Sequence, residues 1–140
     1  LTANDQLRQR VAWAFAQLLV IARGAIGVEE SHSEVFLTYC DIFVRNAFGN
    51  YRDMLREISY SPLMAENLSF LQSKSAAYTW ETQGKISFAD ENFAREIMQL
   101  FSTGLDKLNI DGTPVLDDQG NPVLAYTNDE IMSFARVWNG

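Results

Sequence analysis

The side chains best suited to chemistry in this sequence lie within one short stretch: Asp90, Glu91, Asn92, Arg95, Glu96 and Gln99. Asn92, Arg95, Glu96 and Gln99 fall at i, i+3, i+4 and i+7, so a helix stacks them along one strip. Paired carboxylates act as acid and base where burial drives their pKa values apart. Arg95, one helical turn from Glu91, is a ready ion-pair partner for it. The strip therefore has two readings. It is a buried polar network that clamps a loop or ligand, or it is a helix face in water, where such residue types usually sit. Spacing alone gives none of its members a catalytic role.

Other constellations offer less. Cys40 is the single cysteine and His32 the single histidine. One thiol makes neither an intramolecular disulfide nor a thiolate zinc site, and Cys40 in its apolar stretch reads as a buried structural thiol. Asp111, Asp117, Asp118 and Asn121 crowd a glycine-containing turn. No register there supplies the alternating oxygen ligands, the glycine and the final glutamate of an EF-hand, and aspartate beside glycine also simply forms turns. There is no phosphate-binding glycine loop and no nucleophile elbow. The sequence thus predicts no cofactor and no metal. Its 11 basic residues against 18 acidic ones give a net charge of -7, which repels a phosphate backbone and argues against a nucleic-acid partner. No apolar run is long enough to span a bilayer; the nearest, Val11 to Ala22, is broken by Gln17 and reads as a core helix.

The elements that must position these groups are helices. Thr2 and Asp5 mark the start of a first helix whose apolar positions Leu7, Val11, Ala14, Phe15 and Leu18 lead to a stop at Gly24. A second, from about Glu34 to Phe48, turns Phe36, Leu37, Cys40, Phe43, Val44 and Ala47 inward and ends at Gly49. Asn50 caps a third from Tyr51 to Tyr60, and Ser61-Pro62 opens a fourth running to Leu71. Residues 72–86 read as a mobile loop in which Tyr78 and Trp80 are unexpected; two large aromatics there tuck into the core or meet a partner.

Phe88 through Gly104 reads as one amphipathic helix, with Phe93, Ala94, Ile97, Met98, Leu100 and Phe101 opposite the polar strip. Residues 106–126 alternate like a β-hairpin inserted before the last helix, which Thr127 and Glu130 open as a capping box. No internal repeat and no low-complexity tract stands out. The expected fold is mostly α: one helical domain over residues 1–140, a bundle of about six helices with a small β-hairpin.

Asp90-Glu-Asn-Phe-Ala-Arg-Glu-Ile-Met-Gln-Leu-Phe-Ser-Thr-Gly104-Leu, then Leu108-Asn-Ile-Asp-Gly-Thr-Pro, and Tyr126 through Ile131 to Val137, resemble the bacterial domain of unknown function DUF1800. Asp5-Gln-Leu-Arg-Gln-Arg-Val-Ala-Trp-Ala-Phe and Arg45-Asn-Ala-Phe-Gly-Asn-Tyr-Arg-Asp-Met-Leu fit it too. The resemblance implies a segment of a longer, mostly helical and exported protein, often encoded beside a sulfatase-like partner, and assigns no catalytic residue. The expected role is a helical module of an exported or cell-surface protein, acting through protein contacts or within an assembly. The alternative is an envelope enzyme of hydrolase type, with its acidic and arginine site on the helix at 90–103 completed by residues outside the segment.

Overall fold

The computed structural model describes residues 4–22 and 33–139; Thr2, Gly24 and His32 lie outside the described residues. The described chain is mostly helical, with seven α-helices. They are α1 (Gln6–Leu18), α2 (Ser33–Asn46), α3 (Tyr51–Ser59), α4 (Pro62–Asn67), α5 (Ala76–Gln83), α6 (Asn92–Glu96) and α7 (Asn128–Ala135). Its contacts divide the chain into two compact units, Leu1–Leu71 and Gln72–Gly140.

In the first unit α1 packs on α2, and α2 on α3 and α4. α1 is not the core helix its apolar content predicts: Ala12 is buried, whereas Leu7, Trp13 and Leu18 stay exposed. Two polar ties set that rotation. The Arg8 guanidinium donates to the Val44 carbonyl at 2.9 Å and lies 5.0 Å over the Phe48 ring. The buried Tyr39 hydroxyl donates to the Leu19 carbonyl at 2.7 Å. Burial raises the Tyr39 phenol pKa, so it stays a donor across the accessible pH range.

Anchoring Tyr39 turns α2 so that Tyr39, Ile42, Phe43 and Ala47 are buried, while Leu37 and Cys40 face out. Cys40 is therefore an exposed thiol, contrary to the buried one expected. α3 follows its pattern, with Asn50 capping the Arg52 amide at 2.8 Å and Met54 and Ile58 buried. α4 ends at Asn67, short of Leu71. Ser69 takes a left-handed φ of 64°, and the Leu71 amide folds back to the Ala65 carbonyl at 2.8 Å.

The second unit is built from short elements. α5 forms inside the stretch read as a loop, and its signals are local: Ser75 caps the Tyr78 amide and Gly84 closes the helix at φ 65°. α6 packs on α7, around Ala89, Ala94, Ile131 and Ala135 with Met98, Tyr126 and Phe134 against them. The expected helix over 90–103 changes character halfway. Ile97–Phe101 form a π-helical turn, the wider i→i+5 ladder, which carries Leu100 off the buried face and leaves it exposed. α7 begins with the expected capping box: the Thr127 and Glu130 side chains each accept the other's backbone N–H, and Arg136–Trp138 extends it as a 3-10 turn.

The β-hairpin expected at 106–126 does not form, and the described residues hold no strand. In its place three isolated antiparallel bridges, Leu108↔Pro114, Leu116↔Pro122 and Leu124↔Asp106, join three short extended segments in a closed ring. The Val115 amide donates to the Lys107 carbonyl, Val123 to Val115 and Lys107 back to Val123, at 2.8–2.9 Å. A second set follows the same rule: Asn109 to Thr113, Asp117 to Asn121 and Ala125 to Leu105.

In each set the first bond maps onto the second by a shift of eight residues, and the third closes the ring back onto its first segment. Gly104, Gly112 and Gly120 share that spacing and nearly one conformation, φ 85°, 82° and 84°. The chain thus does hold an internal repeat: Leu108-Asn-Ile-Asp-Gly112-Thr-Pro-Val115 against Leu116-Asp-Asp-Gln-Gly120-Asn-Pro-Val123. Pro114 and Pro122 have no N–H to extend a ladder, so each pairing stays a single bridge.

Candidate functional site

The polar strip falls into separate pieces. Arg95 donates to the Glu91 carboxylate at 2.6 Å and to Asn128 Oδ1 at 3.0 Å, both with half-exposed geometry, and so ties the start of α7 to α6. Asp90 Oδ1 accepts the Asn92 amide at 2.9 Å and shapes the entry into α6. Glu91, Asn92, Arg95, Glu96 and Gln99 are each half-buried and Asp90 is exposed. None of these six side chains lines either of the two cavities described next.

The larger cavity, about 680 Å³, lies in the second unit. Its apolar wall is Ala76, Phe88, Ala89 and Met132, and its polar groups are Ser75, Asp129, Arg136 and Asn139. Local chemistry positions each side. The buried Thr79 hydroxyl accepts the Ser87 amide at 3.2 Å and straps the segment after α5 back onto that helix, which sets Phe88 at the cavity with 77% of its surface exposed. Asp129, Met132 and Arg136 lie at i, i+3 and i+7 along α7 and its 3-10 extension, so they form one wall about 10 Å long. Arg136 also donates to Ser133 Oγ at 3.1 Å, and Asn139 accepts from Ser73 Oγ at 2.7 Å.

Tyr78 and Trp80, read as residues that tuck in or meet a partner, both stand exposed on α5, at 48% and 59%. Lys74 Nζ lies 5.5 Å over the Tyr78 ring. Trp80 is one turn beyond Ala76 on the same face of α5, outside the residues that line the cavity. The sequence reading singled out none of the lining residues, Phe88, Met132 and Arg136 among them, since cavity walls come from segments far apart in sequence; Thr79 at the strap carries no motif.

A second cavity, about 560 Å³, lies in the first unit between α2 and α3. Arg45 and Glu57 meet across it at 2.6 Å and Asn46 donates to Glu57 at 2.9 Å, which together hold the Glu57 pKa below the usual range. Its rim is this interhelical ion pair, and Asp53 and Arg56 also line it. In the ring, Asp111 and Asp117 carboxylates accept hydrogen bonds from Thr113 and Asn121 respectively, and these lower both pKa values. Their oxygens shape turns. Among the described residues no three histidine, cysteine, aspartate or glutamate side chains converge on one point, and no helix is long and apolar enough to cross a membrane.

Comparison with known proteins places the chain by sequence. The family described as Protein of unknown function (DUF1800) matches residues 1–140. No curated protein and no solved structure matches.

Proposed function

The chain belongs to the DUF1800 family over its whole length, and on that premise we propose that it is a helical module of an exported or cell-surface protein that acts by holding a protein partner. One observation carries the reading: Phe88 and Met132 line an apolar cavity whose wall includes Ala76 of α5, and Trp80 stands exposed one turn further along that helix. An aromatic-rimmed apolar pocket bounded by a carboxylate, a guanidinium and an amide suits an apolar anchor residue and the polar backbone on either side of it. Asp129 and Arg136 stand about two helical turns apart and can each engage a charge on a bound segment. The enzyme alternative rests on the strip at 90–99, and there Arg95 is engaged by Glu91 and Asn128 instead of facing a cavity. Export is supported by the resemblance to exported family members.

Photo-crosslinking tests the partner. A benzoylphenylalanine placed at Trp80 in the native host is expected to give a discrete protein adduct, and Met132→Arg, which fills the cavity, is expected to abolish it. An adduct that persists at full yield in the filled variant sinks the site. Fractionation of a tagged full-length protein tests export, and recovery from the cytoplasm alone overturns it.

A further inference from the structure

The closed ring at 104–125 turns an apolar surface outward by the geometry of its bridges. Side chains two apart on an extended segment share a face, and directly bridged residues share a face. Following these two rules around the ring puts Asp106, Leu108, Pro114, Leu116, Pro122 and Leu124 on one surface and Lys107, Val115 and Val123 on the other. The burial agrees. Val115 and Val123 are half-buried, whereas Leu108, Leu116 and Leu124 are 58%, 57% and 61% exposed, nearly equal, as the eight-residue repeat requires.

The leucines are not left over from a failed core. The backbone bonds that close the ring, the left-handed glycines and the prolines hold these side chains outward, so the surface cannot collapse inward to hide them. The lobe between Leu108 and Pro114 adds Ile110, fully exposed at its tip. The same lobes bear Asp111, Asp117 and Asp118, and Asp106 lies on the leucine surface itself. The hydrogen bonds that lower the pKa values of Asp111 and Asp117 hold that charge to lower pH. An apolar centre with an anionic rim is complementary to an apolar stripe flanked by lysine or arginine. The rim repels anionic lipid, and a second copy of this chain would bring its own charge of -7.

We propose that this ring is a docking platform for a cationic amphipathic helix of a protein partner, with Leu108, Leu116 and Leu124 as its apolar contacts and the lobe aspartates as its charge clamp. The proposal stands on the ring alone and is independent of the Phe88 cavity. A fluorescein-labelled leucine/lysine amphipathic helix is the probe, with a leucine/glutamate helix and anionic vesicles as the competing ligands.

Fluorescence anisotropy is expected to show saturable binding of the lysine helix, weakened by salt, and at least about tenfold weaker binding to the Leu108→Ser/Leu116→Ser/Leu124→Ser variant, which keeps every charge. Protected amides at Lys107, Val115 and Val123 verify the ring in that variant; if protection is lost, Leu116→Ser alone carries the comparison, with at least about threefold weakening expected. Equal binding to parent and leucine variant reduces the effect to bulk charge and overturns the proposal. So does no binding at all, equal binding of the glutamate helix or vesicles, or a dimer in sedimentation that the leucine variant dissolves.

Discussion

In the first unit Phe43, Met54, Ile58 and Met64 are almost wholly buried, and the helices stand where those side chains let them. In the ring of residues 104–125 no side chain is more than partly buried, yet the path of the chain is as closely defined, because three amides and three carbonyls bond in a circle. The two regions divide the work of folding differently. Where packing fixes the backbone, large side chains are consumed in the interior; where the backbone fixes itself, they are released for display. Apolar residues of the same type therefore mean opposite things in the two places.

That contrast can be broken at its strongest point. Phe43→Ala is expected to cost about 3–5 kcal/mol through lost burial and a residual void, read as a fall in the urea midpoint. A loss below about 2 kcal/mol denies that side-chain packing holds the first unit. In the ring the vulnerable atoms are in the main chain. Gly120→Ala meets nothing within 4 Å of its new methyl, so its whole cost is the left-handed conformation, about 1–2 kcal/mol, with faster exchange at the Val123 amide. An unchanged exchange rate there disconnects the glycine from the closing bonds.

Where the ring hands over to α7, Thr127→Ala removes the capping box and is expected to cost about 1 kcal/mol. Bonding to the Thr127 amide lowers the Glu130 pKa from its ordinary value of 4.5, so the folded state takes up this proton less readily than the unfolded one. Its contribution is complete above that value and is lost as pH falls through the acid range; Thr127→Ala keeps that amide, so it is a Glu130→Ala variant whose stability should depend less steeply on pH there than the parent's. Equal acid slopes for the two proteins remove Glu130 from the cap. The smallest expected effect is the sharpest check of the contrast: Leu116→Ser should shift stability by no more than about 0.5 kcal/mol. A loss of several times that makes Leu116 a packing residue after all.

What the sequence made legible follows the same division. Caps are local, so Asn50 and Thr127 through Glu130 could be read directly; Pro62 opens its helix as expected, though the Ser61 side chain makes no cap bond. Rotation about a helix axis is decided by partners: Tyr39 reaching Leu19 and Arg8 reaching Val44 turned α2 and α1 away from the faces that apolar periodicity selected. α5 was legible in Ser75 and Gly84 but hidden by a polar composition. The π-helical turn has no sequence signal beside an ordinary amphipathic pattern.

The repeat was open to view in Gly104, Gly112 and Gly120 and in Leu108, Leu116 and Leu124. It was obscured because the first unit of three carries Asp106-Lys107 where the others carry proline and valine. Of the strip residues, Asn92, Arg95 and Glu96 lie on α6, Asp90 and Glu91 precede it, and Gln99 lies in the π-helical turn. The cavity was invisible, since Phe88 reaches it through a Thr79 strap and Arg136 through a 3-10 turn.

The Ala125 amide bonds to the Leu105 carbonyl at 2.9 Å, so the ring's entrance and exit stand side by side. A segment that returns to its own doorstep behaves as a cassette. Because its two ends are already joined, it can be grafted whole onto another scaffold without asking the flanking helices to move.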